Sequence, residues 1–325
     1  MPEETGQGMD FRTAPSSFAD AFASGGASGA EETRKSHIID ELIAERATKL
    51  SRQALWPILR PILYRLFHYR QAVGMADDIA ALSGHGAMAY LSALLSLDIS
   101  VAGVENIPKS GGFILAPTHP TGIADGIAVF DLLKNIRPDM AIFANRDALR
   151  VAPGFKDIII PVEWRQGEKS HAKSRDTLEM TARAFHSKKA IVLFPSGRIA
   201  FWNDGRLTER PWQTSIVSLT RRYKFPIVPA RITARNSGLF YFLSKYSTEL
   251  RDMTVFHELL NKTGRAFSIT VGCAIPATAL AGDAGDVARR LQAHAVETLA
   301  AGPNAEFDAL SPQSPKAEPM PFPLA

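Results

Sequence analysis

The chain has 325 residues, enough for one large domain, alone or with an appended helical segment, and short for two independent catalytic domains. With 46% hydrophobic and 22% charged residues it falls outside the disordered, collagenous and disulfide-rich classes. A net charge of +4 is too small to imply nucleic acid binding, and a single cysteine, Cys273, set among strand-like neighbours, excludes an intramolecular disulfide and fits a reducing compartment.

Residues 1–34 show neither helical nor strand periodicity and read as a tail. They lack the basic start and apolar core of a secretory signal. Residues 35–100 are expected to hold amphipathic, membrane-associating helices. Ile38, Ile39, Leu42, Ile43, Ala47 and Leu50 recur at helical spacing with charges between them. Leu55 to Phe67 mixes large apolar groups, aromatics and arginines, the composition of a helix lying in a lipid interface. Between Ser51 and Ala76 stand Arg52, Arg60, Arg65 and Arg70 and no carboxylate, a balance that suits an anionic lipid surface; a core-packing helix with solvated arginines is the plainer alternative. The longest weakly polar stretch, Gly86 to Leu97, is well short of the ~20 residues needed to cross a bilayer.

From Val101 to residue 305 short apolar runs alternate with helical segments, which predicts an α/β domain with a mixed, mostly parallel sheet flanked by helices. Strands are expected over Gly112–Ala116, Met140–Ala144, Ile158–Val162, Ala190–Phe194, Ile227–Ile232 and Ala266–Val271. Helices are expected over Asp125–Lys134, Ser174–Ser187, Thr214–Tyr223 and Asp286–Ala300. Residues 306–325 are proline-rich and read as a second tail. The aromatic run Gly238 to Leu243, followed by Lys245, suits either a second membrane contact or a core segment.

The chemistry concentrates at Pro117-Thr118-His119-Pro120-Thr121-Gly122-Ile123-Ala124-Asp125. His119 follows an apolar strand and Asp125 opens the next helix, so both side chains can converge at the edge where an α/β sheet binds ligands. A histidine can take a proton from a hydroxyl, and a carboxylate on its other ring nitrogen fixes the tautomer. Spacing alone also allows a capping Asp beside an unrelated loop His. Ser196 in Pro195-Ser196-Gly197 lacks the preceding glycine of a nucleophile elbow. His171, His186, His257 and His294 are scattered, with no pair at metal-ligand spacing.

Four ordered stretches between Val101 and Pro276 resemble the glycerolipid acyltransferase superfamily. The first is His119 and Asp125, with five intervening residues where the usual form has four; the longer His-Pro-x-Gly-x-x-Asp form is similar to a branch that includes hemolysin-like and ornithine-lipid acyltransferases. The second runs from Asn145-Arg146-Asp147-Ala148-Leu149-Arg150 through Glu163-Trp164-Arg165. The third, normally Phe-Pro-Glu-Gly-Thr-Arg, is here Phe194-Pro195-Ser196-Gly197-Arg198, with serine for glutamate and the arginine one residue early. The fourth is Phe225-Pro226-Ile227-Val228-Pro229-Ala230. The resemblance implies an O-acyltransferase that moves a fatty acyl group from acyl-CoA or acyl carrier protein to the hydroxyl of a lyso-lipid, 1-acylglycerol-3-phosphate-like or, given the altered third stretch, a lyso-aminolipid such as lyso-ornithine lipid. It also implies His119 as general base, Asp125 as its orienting partner, and Arg146, Arg150, Arg165, Ser196, Gly197 and Arg198 as acceptor-binding residues. No metal or cofactor is expected, and the expected location is peripheral or monotopic on the cytoplasmic face of an inner membrane. A catalytically silent lipid-binding protein is the rival from another class; the intact His119 and Asp125 count against it.

Overall fold

The computed structural model describes residues 36–163 and 171–308. The tail expected over 1–34, residues 309–325 of the other tail, and Arg165 lie outside the described residues.

In chain order the main sheet takes β1 (Asp98–Ala102), β2 (Phe113–Pro117), β3 (Ala141–Asn145), β4 (Ile159–Val162), β5 (Ala190–Val192), β8 (Ile227–Thr233) and β9 (Ala266–Val271). A separate hairpin is formed by β6 (Phe201–Asn203) and β7 (Arg206–Thr208). The spatial order is β1-β9-β8-β2-β5-β3-β4. All pairs are parallel except β8 with β9, so β9 and β1 run against the other five strands. The sheet is mixed and mostly parallel, as the sequence predicts.

β2 occupies the middle and is buried at every position. Its side chains divide by the two-residue period of a strand: Phe113 and Leu115 enter one core, Ile114 and Ala116 the other. A strand buried on both faces requires a helical layer on each side. One layer comprises α1 (Ile38–Arg46), α3 (Tyr69–Ala80), α4 (Gly84–Leu95), α5 (Ile123–Leu133) and α11 (Val255–Leu260), which contribute Leu42, Ile79, Leu95, Ile127 and Leu259 to the first core. The other comprises α7 (His171–His186), α8 (Ser215–Tyr223) and α12 (Ala284–Val296), with Phe185, Ile216 and Leu291 in the second. Shorter helices α6 (Asp147–Val151), α9 (Gly238–Tyr246) and α10 (Thr248–Met253) complete the described set with α2 (Trp56–Leu66).

One expectation is corrected here. The boundary placed between residues 100 and 101 falls inside β1, and the helices before it share a core with the sheet, so 37–100 is not an appendage. β1 escapes a periodicity search because it is an edge strand with most of its residues exposed and no buried face to alternate. The aromatic run at 238–243 forms α9, in which Phe240 and Tyr241 are buried while Phe242 and Tyr246 are exposed.

α2 is a different case: none of its residues is buried. Trp56, Leu63 and Tyr64 rest against the first core, whereas Leu55, Ile58, Ile62 and Leu66 turn outward at 51–64% exposure. That outer row repeats at three and four residues, one face of a helix. The segment has no carboxylate of its own, yet Arg60 finds one on α1: its guanidinium donates to Asp40 at 2.8 Å. Arg52, Arg65 and Arg70 remain exposed. Among the described residues, no helix is long and apolar enough to cross a membrane.

Candidate active site

The carboxyl ends of β2, β5 and β8 lie side by side, because β5 and β8 both pair with β2. Each strand delivers a loop to the same edge. β2 delivers His119, whose Nδ1 lies 2.9 Å from Asp125 Oδ2. Asp125 is fully buried in the first turn of α5 and accepts three further hydrogen bonds, from the Thr121 backbone N–H (2.8 Å), the Gly122 backbone N–H (2.9 Å) and the Thr121 hydroxyl (2.5 Å). A carboxylate in that setting can only accept from the ring, so Nδ1 carries the proton and the lone pair stays on Nε2. The tight turn that allows this requires Gly122: its φ is +99°, and a Cβ there would lie 2.7 Å from Ile199.

β5 delivers the third stretch. Phe194 packs its ring against the His119 imidazole at a tilt of 33°, 4.4 Å between centroids. Gly197, at φ +62°, turns the chain with its N–H on Phe194 O at 3.0 Å, and the Ala200 N–H returns to His119 O at 2.9 Å. Ser196 is buried and its hydroxyl donates to the Arg198 carbonyl at 2.9 Å, so it shapes the turn; Arg198 and Gly197 are exposed at its tip. β8 delivers Asn236, whose amide donates to the Thr121 carbonyl at 3.2 Å and so ties the third loop to the first.

Two residues absent from the sequence reading complete the site. The hairpin β6–β7 returns the chain to His119, where the buried Glu209 accepts the His119 backbone N–H on Oε2 at 3.1 Å. Burial pushes the Glu209 carboxyl above the usual carboxylate range; the His119 backbone N–H, the His119 ring and the Ser196 hydroxyl pull the other way. The next residue, Arg210, lies with its guanidinium carbon 4.1 Å from the Phe201 ring centroid and has a buried Nε without a hydrogen bond. Partial burial, with Arg198 and Arg251 nearby, lowers its pKa. Clustered guanidinium groups of this kind favour an anion between them. A signal for the hairpin was present: Asp204-Gly205, both at positive φ, between Phe201-Trp202 and Leu207-Thr208 is the pattern of a two-residue turn.

The remaining acceptor-binding candidates fall elsewhere. Arg146 precedes α6 and pairs with Asp176 at 3.0 Å and the Thr177 hydroxyl at 3.3 Å on α7. Arg150 is held by Glu45 at 2.7 Å and Glu41 at 3.2 Å on α1, and the Glu45 hydrogen bond is the main cause of its raised pKa. Although only four residues apart, the two arginines are held by carboxylates on different helices, Arg146 toward α7 and Arg150 toward α1, on either side of the five-residue α6.

Residues 98–233 match a family model described as Acyltransferase. That stretch, less than half of the chain, is similar to the acyltransferases the model describes. The matched stretch spans β1 through β8 and therefore contains every loop of the site except the segment after Thr233. The chain is 26% identical over 189 residues to a lyso-glycine lipid O-acyltransferase of Phocaeicola vulgatus, covering 56% of this chain and 66% of the relative. It is 24% identical over 188 residues to a lyso-glycine lipid O-acyltransferase of Bacteroides thetaiotaomicron, covering 56% of this chain and 67% of that relative. The aligned part thus amounts to about two thirds of the length of these relatives. Among solved structures, the 1-acyl-sn-glycerophosphate (LPA) acyltransferase PlsC from Thermotoga maritima is similar at 12% identity and a TM-score of 0.42, covering 77% of this chain and 93% of that one.

Proposed function

We propose that the protein is a lyso-lipid O-acyltransferase that uses His119 as general base and transfers a fatty acyl group directly from a thioester, acyl-CoA or acyl carrier protein, to the acceptor hydroxyl. The observation that carries the reading is the His119 Nδ1 to Asp125 contact at 2.9 Å, with Asp125 saturated by three other donors. His119 Nε2 takes the hydroxyl proton as the oxygen attacks the thioester carbonyl. The tetrahedral intermediate then expels the thiolate, which takes the proton from the imidazolium, leaving an ester and a free thiol. Asp125 stabilises the imidazolium between these two steps.

The acceptor we favour is a lyso-aminolipid whose anionic group, a carboxylate, lies against Arg198 and Arg210. Two things support it: the third stretch carries Ser196 where the superfamily has glutamate, and the relatives are named for a lyso-glycine lipid. The protein would work from the membrane surface, held by the outer face of α2 and its exposed arginines. Purified protein offered lyso-glycine lipid, lyso-ornithine lipid and lysophosphatidic acid side by side with one labelled acyl thioester tests the choice. The reading expects an aminolipid preference; lysophosphatidic acid preferred by tenfold, about 1.4 kcal/mol in transition-state binding, would reject it.

A further inference from the structure

His119 is held at three points, and only one of them lies in the His-Asp motif. Its ring meets Asp125, its carbonyl receives the Ala200 N–H, and its own N–H goes to Glu209, 90 residues further along the chain. Pro120 follows immediately, so the loop has one fewer backbone donor with which to fix itself. Glu209 is buried, and its second oxygen, Oε1, is also buried and makes no hydrogen bond. An unsatisfied buried carboxylate oxygen is costly to keep, and a surface loop has no need of one. Nothing about the hairpin's own folding requires it either, since β6 and β7 pair through Phe201–Thr208 and close at Asp204-Gly205 before Glu209 is reached.

The surroundings say what the group does. Ser196, in the loop whose Ala200 N–H returns to the His119 carbonyl, is the position at which the third stretch has lost the carboxylate usual in the superfamily. We infer that Glu209 is a positioning residue for the base, a carboxylate brought in from the hairpin that fixes the His119 main chain so that Nε2 is presented to the acceptor hydroxyl while Asp125 fixes the ring. The inference rests on the proposed role of His119 as base. A side chain that reaches the reacting atoms only through His119 affects turnover more than acceptor binding, because a misplaced base costs transition-state geometry and leaves the acceptor's anion contacts in place.

Glu209→Ala removes the acceptor for the His119 N–H, whereas Glu209→Gln keeps an oxygen that can take the same bond. Two measurements separate this inference from the activity itself. In the first, amide hydrogen exchange is followed in peptides covering residues 117–122. Glu209→Ala is expected to accelerate exchange there at least tenfold, with Glu209→Gln close to wild type and exchange in β2 and α5 unchanged in both. In the second, transfer from palmitoyl-CoA to lyso-glycine lipid is followed kinetically. Glu209→Ala is expected to lower kcat at least tenfold with acceptor KM within threefold, and Glu209→Gln to recover most of the loss. Unchanged protection at 117–122 in Glu209→Ala overturns the inference even if the wild type turns over no lyso-lipid. Equal loss of kcat in both variants overturns it too, as does a change confined to KM.

Discussion

At the scale of single residues, Asp125 and His119 are coupled so tightly that their substitutions should fail in different ways. Asp125→Asn keeps the side-chain shape but can offer its amide N–H to the ring, which favours the wrong tautomer; a loss on the order of 10⁴ in kcat is the precedent for this change in a catalytic triad. We expect at least a 100-fold loss, with melting within a few degrees of wild type. Asp125→Ala should also destabilise, because it leaves the Thr121 and Gly122 N–H groups and the Thr121 hydroxyl without their acceptor, and hydrogen bonds to a charged group are each worth about 1.5–3 kcal/mol. Thermal melts read beside kinetics separate the two; equal activity in Asp125→Asn and wild type would contradict the tautomer argument. The pair was legible in the sequence because it is local: a strand end, a glycine turn and a helix start fit inside nine residues. Glu209 was not, since a carboxylate 90 residues away announces itself only through the hairpin that carries it back. Arg150 misled for the same reason, its partners Glu41 and Glu45 lying more than 100 residues upstream.

At the scale of elements, α2 and the α9–α11 region each make a separate prediction. Ile58 and Ile62 are 64% and 60% exposed, so Ile58→Ser with Ile62→Ser costs the fold little. Fully burying such a side chain is worth about 1.5–3 kcal/mol, and partial insertion of two should exceed a tenfold effect. Sedimentation with vesicles containing anionic lipid should show at least that drop in partitioning. Arg65→Glu should add a salt-sensitive loss of about 1 kcal/mol per basic charge removed. Arg60 is the wrong residue for that test, because reversing it also breaks the Asp40 pair. Unchanged partitioning of the serine variant would remove α2 from the interface.

In α11, Glu258 is buried against Lys262 just after the helix, at 2.9 Å, and also accepts the Ser237 N–H that starts α9. Burial pushes Glu258 up, but Lys262 and Ser237 outweigh it and the net shift is downward; for Lys262 burial wins and the shift is also downward. The glutamate therefore contributes stability above its unfolded value, near 4.3, and that contribution is lost as pH falls through its lowered folded value. Lys262→Met leaves the carboxylate unpaired, which typically costs about 3–5 kcal/mol near neutral pH; burial then pushes the Glu258 pKa upward, so protonation should shrink the variant's deficit as pH falls. Urea melts at pH 7 and at mildly acidic pH check both parts; coincident curves for variant and wild type would refute them. The central strands and long helices of this fold were legible because burial on two faces produces long apolar runs. The edge strand β1 was not, since an exposed strand buries too little to imprint a period, and the three-residue strands of the hairpin β6–β7 were marked only by their Asp204-Gly205 turn.

At the scale of the whole molecule, a seven-stranded sheet brings the loops after β2, β5 and β8 to one edge, and the hairpin after β5 closes them around His119. The stretch that matches the acyltransferase model and the proposed chemistry meet at that imidazole. The most direct test supplies purified wild-type protein and His119→Ala with a labelled acyl thioester, as CoA and as carrier-protein forms, and with lyso-glycine lipid, reading the O-acylated product by mass. General base catalysis contributes about 10²–10⁴-fold, so we predict product from the wild type and a loss of at least 100-fold in His119→Ala, with circular dichroism and vesicle binding unchanged. Absence of product from the wild type with both thioester forms, or activity of His119→Ala within threefold of wild type, would contradict the account.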